Sequence, residues 1–422
     1  MTIESIGARG EGIARLGSER LFVPLTAPGD RVIATVMGRG PGGLKANLVD
    51  ILEAGPGRAE PPCPHYGICG GCALQHLAAV PYAAWKRDQV VAALAQRGLT
   101  EIEVEAPIVI PAGRRRRTAF TVERAGTRIV AGYSARASHR VVDIDRCLLL
   151  TEPLDRLRDP IRRLAATWLE DGSRWRILAT EAEGVVDVVI VSLDPGTGTL
   201  DLSARRRLAT FADEAGLARL SWQRGEAGSP EPVVVRSAPR VVLGGIVVEP
   251  PPGGFLQPSA EGEAILGGLA LEGIGKAKRV ADLFAGIGTL SLRLAAAAKV
   301  RAIDGDPRLI AALAKAASGA GLAGRIETEV RDLDRRPLAG DELEPFGAVV
   351  FDPPRAGARL QAEALARAEA VERVVAVSCN PATFARDVRI LIDGGFRARR
   401  VVPVDQFTYA AHVEIVGQFR RA

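Results

Sequence analysis

The chain has 422 residues, 47% of them hydrophobic and 25% charged, and 55 Lys and Arg against 50 Asp and Glu leave a formal charge of +5. That length holds two or three domains and buries a full core without covalent staples, and the composition excludes disorder as the default state. No run of about 18 apolar residues occurs, which excludes a membrane-spanning helix, and the small positive charge is only a mild pointer to a polyanionic partner.

The N-terminus, MTIESIGARGEG, lacks the basic start and apolar stretch of a signal peptide, so a cytoplasmic location is expected. In a reducing compartment the five cysteines read as metal ligands or reactive thiols before they read as disulfides. From residue 1 to about 54, short β-like runs such as Leu21–Pro24 and Arg31–Met37 alternate with glycine-rich turns, which predicts a small barrel. EAGPGRAEPP, Glu53–Pro62, has linker composition and leads into CPHYGICGGC, which carries Cys63, Cys69 and Cys72. With the distant Cys147, three close thiolates can hold zinc or a [4Fe–4S] cluster, and disulfides are a third reading that spacing leaves open. His65 and His76 flank the group and read as outer or surface residues.

Tyr82, Trp85, Val91 and Leu94 recur at helical spacing up to Gly98, a residue suited to the position just past a helix end. Arg114, Arg115, Arg116 and Arg117 run together ahead of Phe120, as a nucleic-acid contact or as a solvated strand. Strand-like runs follow at Thr118–Val122, Ile129–Tyr133, Val185–Ser192 and Pro232–Val235, and PPPGG at Pro250–Gly254 marks the approach to the last domain. There the pattern becomes a regular alternation: Val280–Phe284, Thr289–Ala298, Val300–Ile303, Pro307–Ser318, then strands at Ile326–Val330, Ala348–Phe351, Val374–Val377, Ala398–Val404 and His412–Gln418. Such alternation predicts an α/β fold with a mostly parallel sheet covered on both faces.

Gly286 and Gly288 in VADLFAGIGTLSL lie where a strand gives way to a helix, and Asp304 ends the next strand, placed to accept ribose hydroxyls. The third glycine of a dinucleotide fingerprint is replaced by Ser291, which favours S-adenosylmethionine over NAD; a ligand-free tight turn is the bland alternative. Asp332, after the following strand, is a candidate contact to adenine. Cys379 follows Val374–Val377 and precedes a helix that Asn380 can cap with Pro381 in its first turn, a setting that favours the thiolate. Asp352 in FDPPRAG is expected on the same sheet edge, and His412 and Glu414 are expected to share one face of a strand.

DLFAGIGTLSL, FDPPRAG, SCNPATFARD and HVE, in this order, with FLQPS at Phe255–Ser259, resemble the uridine-5 RNA methyltransferase family. The residues before 56 resemble a TRAM domain, CPHYGICGGCALQH resembles the family's iron–sulfur motif, and GYSARASHRVVDIDRC its fourth-cysteine region. The resemblance spans nearly the whole chain. It implies a TRAM (OB-like) β-barrel over 1–55, an α+β central iron–sulfur and RNA-binding region over 56–248, and a Rossmann-like, class I S-adenosylmethionine-dependent methyltransferase domain over 249–422.

Carried onto this sequence, the family pattern makes Cys379 the nucleophile and Glu414 the base; attack on the ring needs an unstacked uridine, and rings such as Phe120 or Phe407 could then stack on neighbouring bases. It assigns Gln257, Phe284, Gly286, Thr289, Asp304, Asp332 and Asp352 to the S-adenosylmethionine pocket, and Cys63, Cys69, Cys72 and Cys147 to a 4Fe-4S cluster. The implied partner is RNA, 23S rRNA first and tRNA second, with no membrane and no obligate protein partner; a non-catalytic RNA-binding or assembly protein of the same fold is the alternative. The chain departs from the pattern where Thr408 and Ala410 replace the proline and threonine of DxFPxTxHxE, Ser259 replaces the asparagine after FxQ, and Thr289 replaces the asparagine of the cofactor loop.

Overall fold

The structure, a computed structural model, describes residues 1–194 and 200–422. Near the N-terminus, Ser5–Ile6, Gly12–Leu16, Glu19–Val23, Gly43–Glu53 and Arg31–Gly40 form a five-stranded sheet in that spatial order, closed over Ile3, Ala14, Leu21, Val23, Val32 and Ala46. The chain leaves it through a buried ion pair: Asp30 accepts from Arg58 Nη2 at 2.7 Å and from the Gly55 N–H at 2.8 Å. Five hydrogen bonds to one buried carboxylate fix the exit of the linker-like segment.

The middle of the chain builds a seven-stranded sheet, ordered Glu231–Val235, Leu217–Arg224, Val185–Ser192, Arg174–Ala182, Arg117–Ala125, Arg128–Ser134 and Val141–Asp143. Its core is aromatic, with Trp168 stacked on Trp222 at 5.3 Å and Trp175 edge-on to both. Phe120 is buried in this core, so it cannot stack on RNA as the sequence suggested.

The last sheet has eight strands, in the order Ile326–Val330, Lys299–Asp304, Arg279–Leu283, Ala348–Phe351, Arg373–Ser378, Glu414–Arg421, Phe396–Asp405 and Ile108–Val109. The first five are parallel, and Glu414–Arg421 runs antiparallel to both neighbours. Alternate residues divide between two cores. Val280, Val300, Val350, Val375 and Val377 pack toward Ala260–Ile274 and Pro307–Gly319, whereas Leu283, Ile303, Phe351, Val374 and Ala376 pack toward Arg359–Arg367 and Pro381–Asp393. This two-sided burial explains why the parallel strands read as continuous apolar runs.

The helix Ala79–Ala95 belongs spatially to this second core, to which it gives Val90 and Leu94, and Ile108–Val109 extends the sheet's far edge. The catalytic-looking half therefore borrows residues 79–109 from the stretch that the sequence assigned to the middle region. Among the described residues no helix is long and apolar enough to cross a membrane.

Candidate active site at the carboxyl edge of the parallel sheet

Parallel strands end together, so one edge collects the residues that follow Leu283, Asp304, Val330, Phe351 and Ser378. The antiparallel strand begins there too: Ser378 lies opposite Ile415, which puts Glu414 beside the residue after Ser378, Cys379. His412 and Val413 precede that strand, and His412 is exposed whereas Glu414 is buried, so the expected shared face does not exist.

Cys379 is half-buried at the start of Pro381–Asp393, whose cap Asn380 accepts from the Ala382 N–H at 3.1 Å. The helix end alone would favour the thiolate. Here burial, then the nearby carboxyl groups of Glu414 and Asp352, push the thiol up to about 11, and Arg355 opposes this. The expected lowering is thus reversed, by burial first and by the two neighbouring acids second.

Those acids are joined by two amides. Gln257 Nε2 donates to Asp352 Oδ2 at 3.1 Å, Gln406 Nε2 donates to Gln257 Oε1 at 2.8 Å, and the same Gln406 nitrogen donates to Glu414 Oε2 at 3.1 Å. Gln257 thus bridges the two buried carboxyl groups through Gln406. Burial raises Asp352 and Glu414 well above the ordinary carboxylate range, and each charge disfavours the other. Nothing in the sequence marked Gln406, because it gains its role only when the strand ending at Asp405 lies beside Glu414.

The glycine loop has the form expected of a ligand cradle. Phe284, Gly286 and Gly288 all have positive φ, at 61°, 57° and 92°. A Cβ on Gly288 would lie 2.4 Å from Leu313 Cδ1, whereas one on Gly286 would meet nothing within 4 Å. Gly288 is thus required by packing and Gly286 faces open space. Ser291, at the missing third glycine, is fully buried and donates to Asp282 Oδ2, while Asp282 Oδ1 is buried without a partner; burial raises Asp282 to about 7.

Asp304 accepts from the backbone N–H groups of Gly286 at 2.9 Å and Asp306 at 2.8 Å, so it shapes the loop before it meets any ribose. Asp332 is exposed at the same edge and accepts from the N–H groups of Asp334 and Arg335. Thr289 is half-buried within the loop.

The arginine run divides in two. Arg116 is buried, pairs with Glu263 and donates to the Gln257 carbonyl at 3.2 Å, which straps the FLQPS segment in place. Ser259 accepts from the Gly262 N–H at 3.0 Å and caps the following helix. Arg114 pairs with Glu261, but among the described residues Arg115 and Arg117 have no carboxylate partner, and Arg117 lies 4.8 Å over the half-exposed Phe255 ring.

Cys63, Cys69, Cys72 and Cys147 line one cavity of about 260 Å³, with His65 and Tyr66. Burial raises Cys69, Cys72 and Cys147, and the first two are raised further by neighbouring thiols. Among the described residues no group of three or more His, Cys, Asp or Glu is drawn together as around one metal ion. His76 is not at the surface: it is buried, its Nε2 donates to the Thr26 carbonyl at 3.0 Å, and Nδ1 faces the Tyr66 hydroxyl.

With this geometry established, comparison with known proteins is decisive. A family model described as tRNA (Uracil-5-)-methyltransferase matches residues 325–420. An uncharacterized RNA methyltransferase of Rhizobium meliloti is 41% identical over 429 residues, covering 100% of this chain and 99% of that protein. The 23S rRNA (uracil(1939)-C(5))-methyltransferase RlmD of Pseudomonas entomophila is 35% identical over 438 residues, covering 99% of this chain and 93% of that protein. This chain belongs to the RNA uracil-5 methyltransferase family. Its enzyme class is therefore that of an S-adenosylmethionine-dependent RNA (uracil-5-)-methyltransferase. The structure of a Pyrococcus abyssi tRNA (uracil-54, C5)-methyltransferase in complex with S-adenosyl-L-homocysteine superimposes with a TM-score of 0.77 over 99% of both chains at 22% identity, a likeness of fold.

Proposed function

We propose that the enzyme methylates carbon 5 of a specific uridine in 23S rRNA through a transient bond between Cys379 and carbon 6 of the uracil ring. The observation that carries this reading is the grouping of a half-buried thiol with two buried carboxyl groups on the edge that holds the glycine loop. Carbon 5 is a weak nucleophile, and addition of the Cys379 thiolate to carbon 6 converts the ring into an enolate with electron density at carbon 5. S-adenosylmethionine, when bound, supplies the methyl group. Glu414 as carboxylate then takes the carbon 5 proton, the C6–S electron pair returns to sulfur, and the free thiolate is regenerated. Asp352, held by Gln257, orients the base, and Arg355 opposes the negative charge around Cys379.

The residues present fit the methyl donor: Gly286 leaves open space at the loop, with Phe284, Thr289, Asp304 and Asp332 along the same edge, and Gln257 and Asp352 between loop and nucleophile. The ring must be open for attack on its face, so the uridine comes from a loop or is turned out of its stack. Arg115 and Arg117, which among the described residues lack carboxylate partners, suit the RNA backbone, and the barrel over 1–55 reads as a TRAM-like RNA-binding domain. The assignment to 23S rRNA follows the named relative, and tRNA is the second reading, favoured by the end-to-end likeness to a tRNA enzyme.

Cys63, Cys69, Cys72 and Cys147 would hold a [4Fe–4S] cluster, a reading supported by their lining one cavity and by the resemblance of CPHYGICGGCALQH to the family's iron–sulfur motif. No step of methyl transfer uses an electron, so the cluster's place is structural. Iron and sulfide analysis of anaerobically purified protein tests it: zinc without sulfide would reverse the assignment. Substrate and activity are tested together by methylating rRNA and tRNA from a deletion strain and mapping the product by nucleotide. Methyl on one 23S rRNA uridine is the expected result, and methyl on tRNA alone would replace it with the second reading.

A further inference from the structure

The loop between the last two strands, residues 406–413, starts with Gln406 and leads into Glu414. Its centre is occupied by the tip of a lysine from a distant helix. Lys86, in Ala79–Ala95, donates from Nζ to Asp405 Oδ1 at 2.7 Å, to the Ala410 carbonyl at 2.8 Å and to the His412 carbonyl. An ammonium has three N–H groups, and this loop receives all of them. Tyr82, one turn earlier, donates its O–H to Asp405 Oδ2, and its oxygen accepts the Tyr409 N–H at 2.8 Å. The Tyr409 carbonyl accepts from Ala73 at 2.8 Å and Leu74 at 3.1 Å, next to the cysteine segment.

Lys86 and Asp405 side chains are both 0% exposed. A buried ion pair contributes little net stability over an apolar replacement, and its best-attested use is to specify one conformation. Here that conformation belongs to a loop with Tyr409 at a φ of 61°, and the pinned Asp405 is followed directly by Gln406, which bonds Glu414.

We infer that Lys86 and Tyr82 are positioning residues for the proton-abstraction step: they hold the loop in the shape that keeps Gln406 on Glu414. The inference rests on Glu414 being the base. It differs from a merely structural role in one respect, the point at which the reaction stalls. A misplaced base leaves thiolate addition and methyl transfer intact, so RNA accumulates bonded to Cys379.

The test compares full-length wild type, Glu414→Gln, Tyr82→Phe, Lys86→Met and Lys86→Met/Asp405→Asn on rRNA from a deletion strain. Single-turnover methylation, RNA adduct that survives denaturation, and S-adenosylhomocysteine affinity are measured. The double variant leaves no lone buried charge, so it and Tyr82→Phe decide the question if Lys86→Met does not fold. Turnover should fall on the order of 10–100-fold, less than the ~10²–10⁴ that a general base contributes, with adduct above wild type and S-adenosylhomocysteine binding unchanged. Wild-type turnover in both Tyr82→Phe and the double variant, or lost turnover without adduct while Glu414→Gln accumulates it, overturns the inference alone. Absence of adduct in Glu414→Gln rejects the base assignment and the inference with it.

Discussion

The two loop glycines separate a ligand site from a mere turn. Alanine at Gly288 would sit at a φ of 92° with its Cβ 2.4 Å from Leu313 Cδ1. Left-handed backbone costs a non-glycine residue roughly 1–2 kcal/mol, and overpacking a well-filled site adds roughly 1–3, so Gly288→Ala should lose about 2–5 kcal/mol. Alanine at Gly286, at a φ of 57° with no atom within 4 Å, incurs only the backbone cost of about 1–2 kcal/mol. Its methyl group nevertheless projects into the space proposed for the methyl donor. Denaturant unfolding of the ligand-free variants and calorimetric titration with S-adenosylhomocysteine read the two effects separately. Gly286→Ala should bind at least about tenfold more weakly, roughly 1.4 kcal/mol, while remaining the more stable of the pair. Wild-type affinity in Gly286→Ala would reduce this loop to a tight turn and move the cofactor elsewhere.

Three other outcomes are expected. Because burial and Asp352 raise Glu414 above its unfolded value near 4.5, the folded state holds this proton more tightly; stability present below that value is lost as pH rises through the raised one. Glu414→Gln should therefore gain stability over wild type between pH 5 and pH 8, by thermal melts at each pH, and a constant difference would deny the raised pKa. Arg116→Ala leaves Glu263 buried without its partner and should cost roughly 3–5 kcal/mol, whereas Arg116→Met/Glu263→Gln should recover most of it in urea melts. Arg115→Ala and Arg117→Ala should each lower the salt dependence of RNA binding by about one phosphate contact with stability retained, and an unchanged slope would remove them from the RNA interface.

The parallel half was legible because its strands are buried on both faces and read as valine-rich runs, and because its chemistry sits in short motifs at strand ends. The middle sheet was only partly so. Leu217–Arg224 is buried along most of its length yet contains Arg219, Ser221 and Gln223, and Arg219 is admitted by its two bonds to Asp187 at 2.9 and 2.7 Å. A polar strand paid for by a partner elsewhere carries no periodic signal.

The same reason hid the positioning residues. Nothing in the sequence marks Lys86, because its partner Asp405 is 319 residues away. The same helix buries Val90, whereas Val91, which the helical spacing picked out, is exposed. At Cys379 the helix terminus was visible and favoured the thiolate, but burial, together with acids that arrive from other strands, reverses the sign.

The proposed chemistry stands or falls on the bond between sulfur and uracil. RNA with 5-fluorouridine at the target tests it, because fluorine at carbon 5 cannot be removed as a proton and the methylated intermediate should persist. Mass spectrometry of the digested complex should find one methylated fluorouracil nucleotide attached to the peptide that contains Cys379. Continued methylation of ordinary uridine RNA by Cys379→Ala, with no adduct on the wild-type enzyme, would contradict the claim outright.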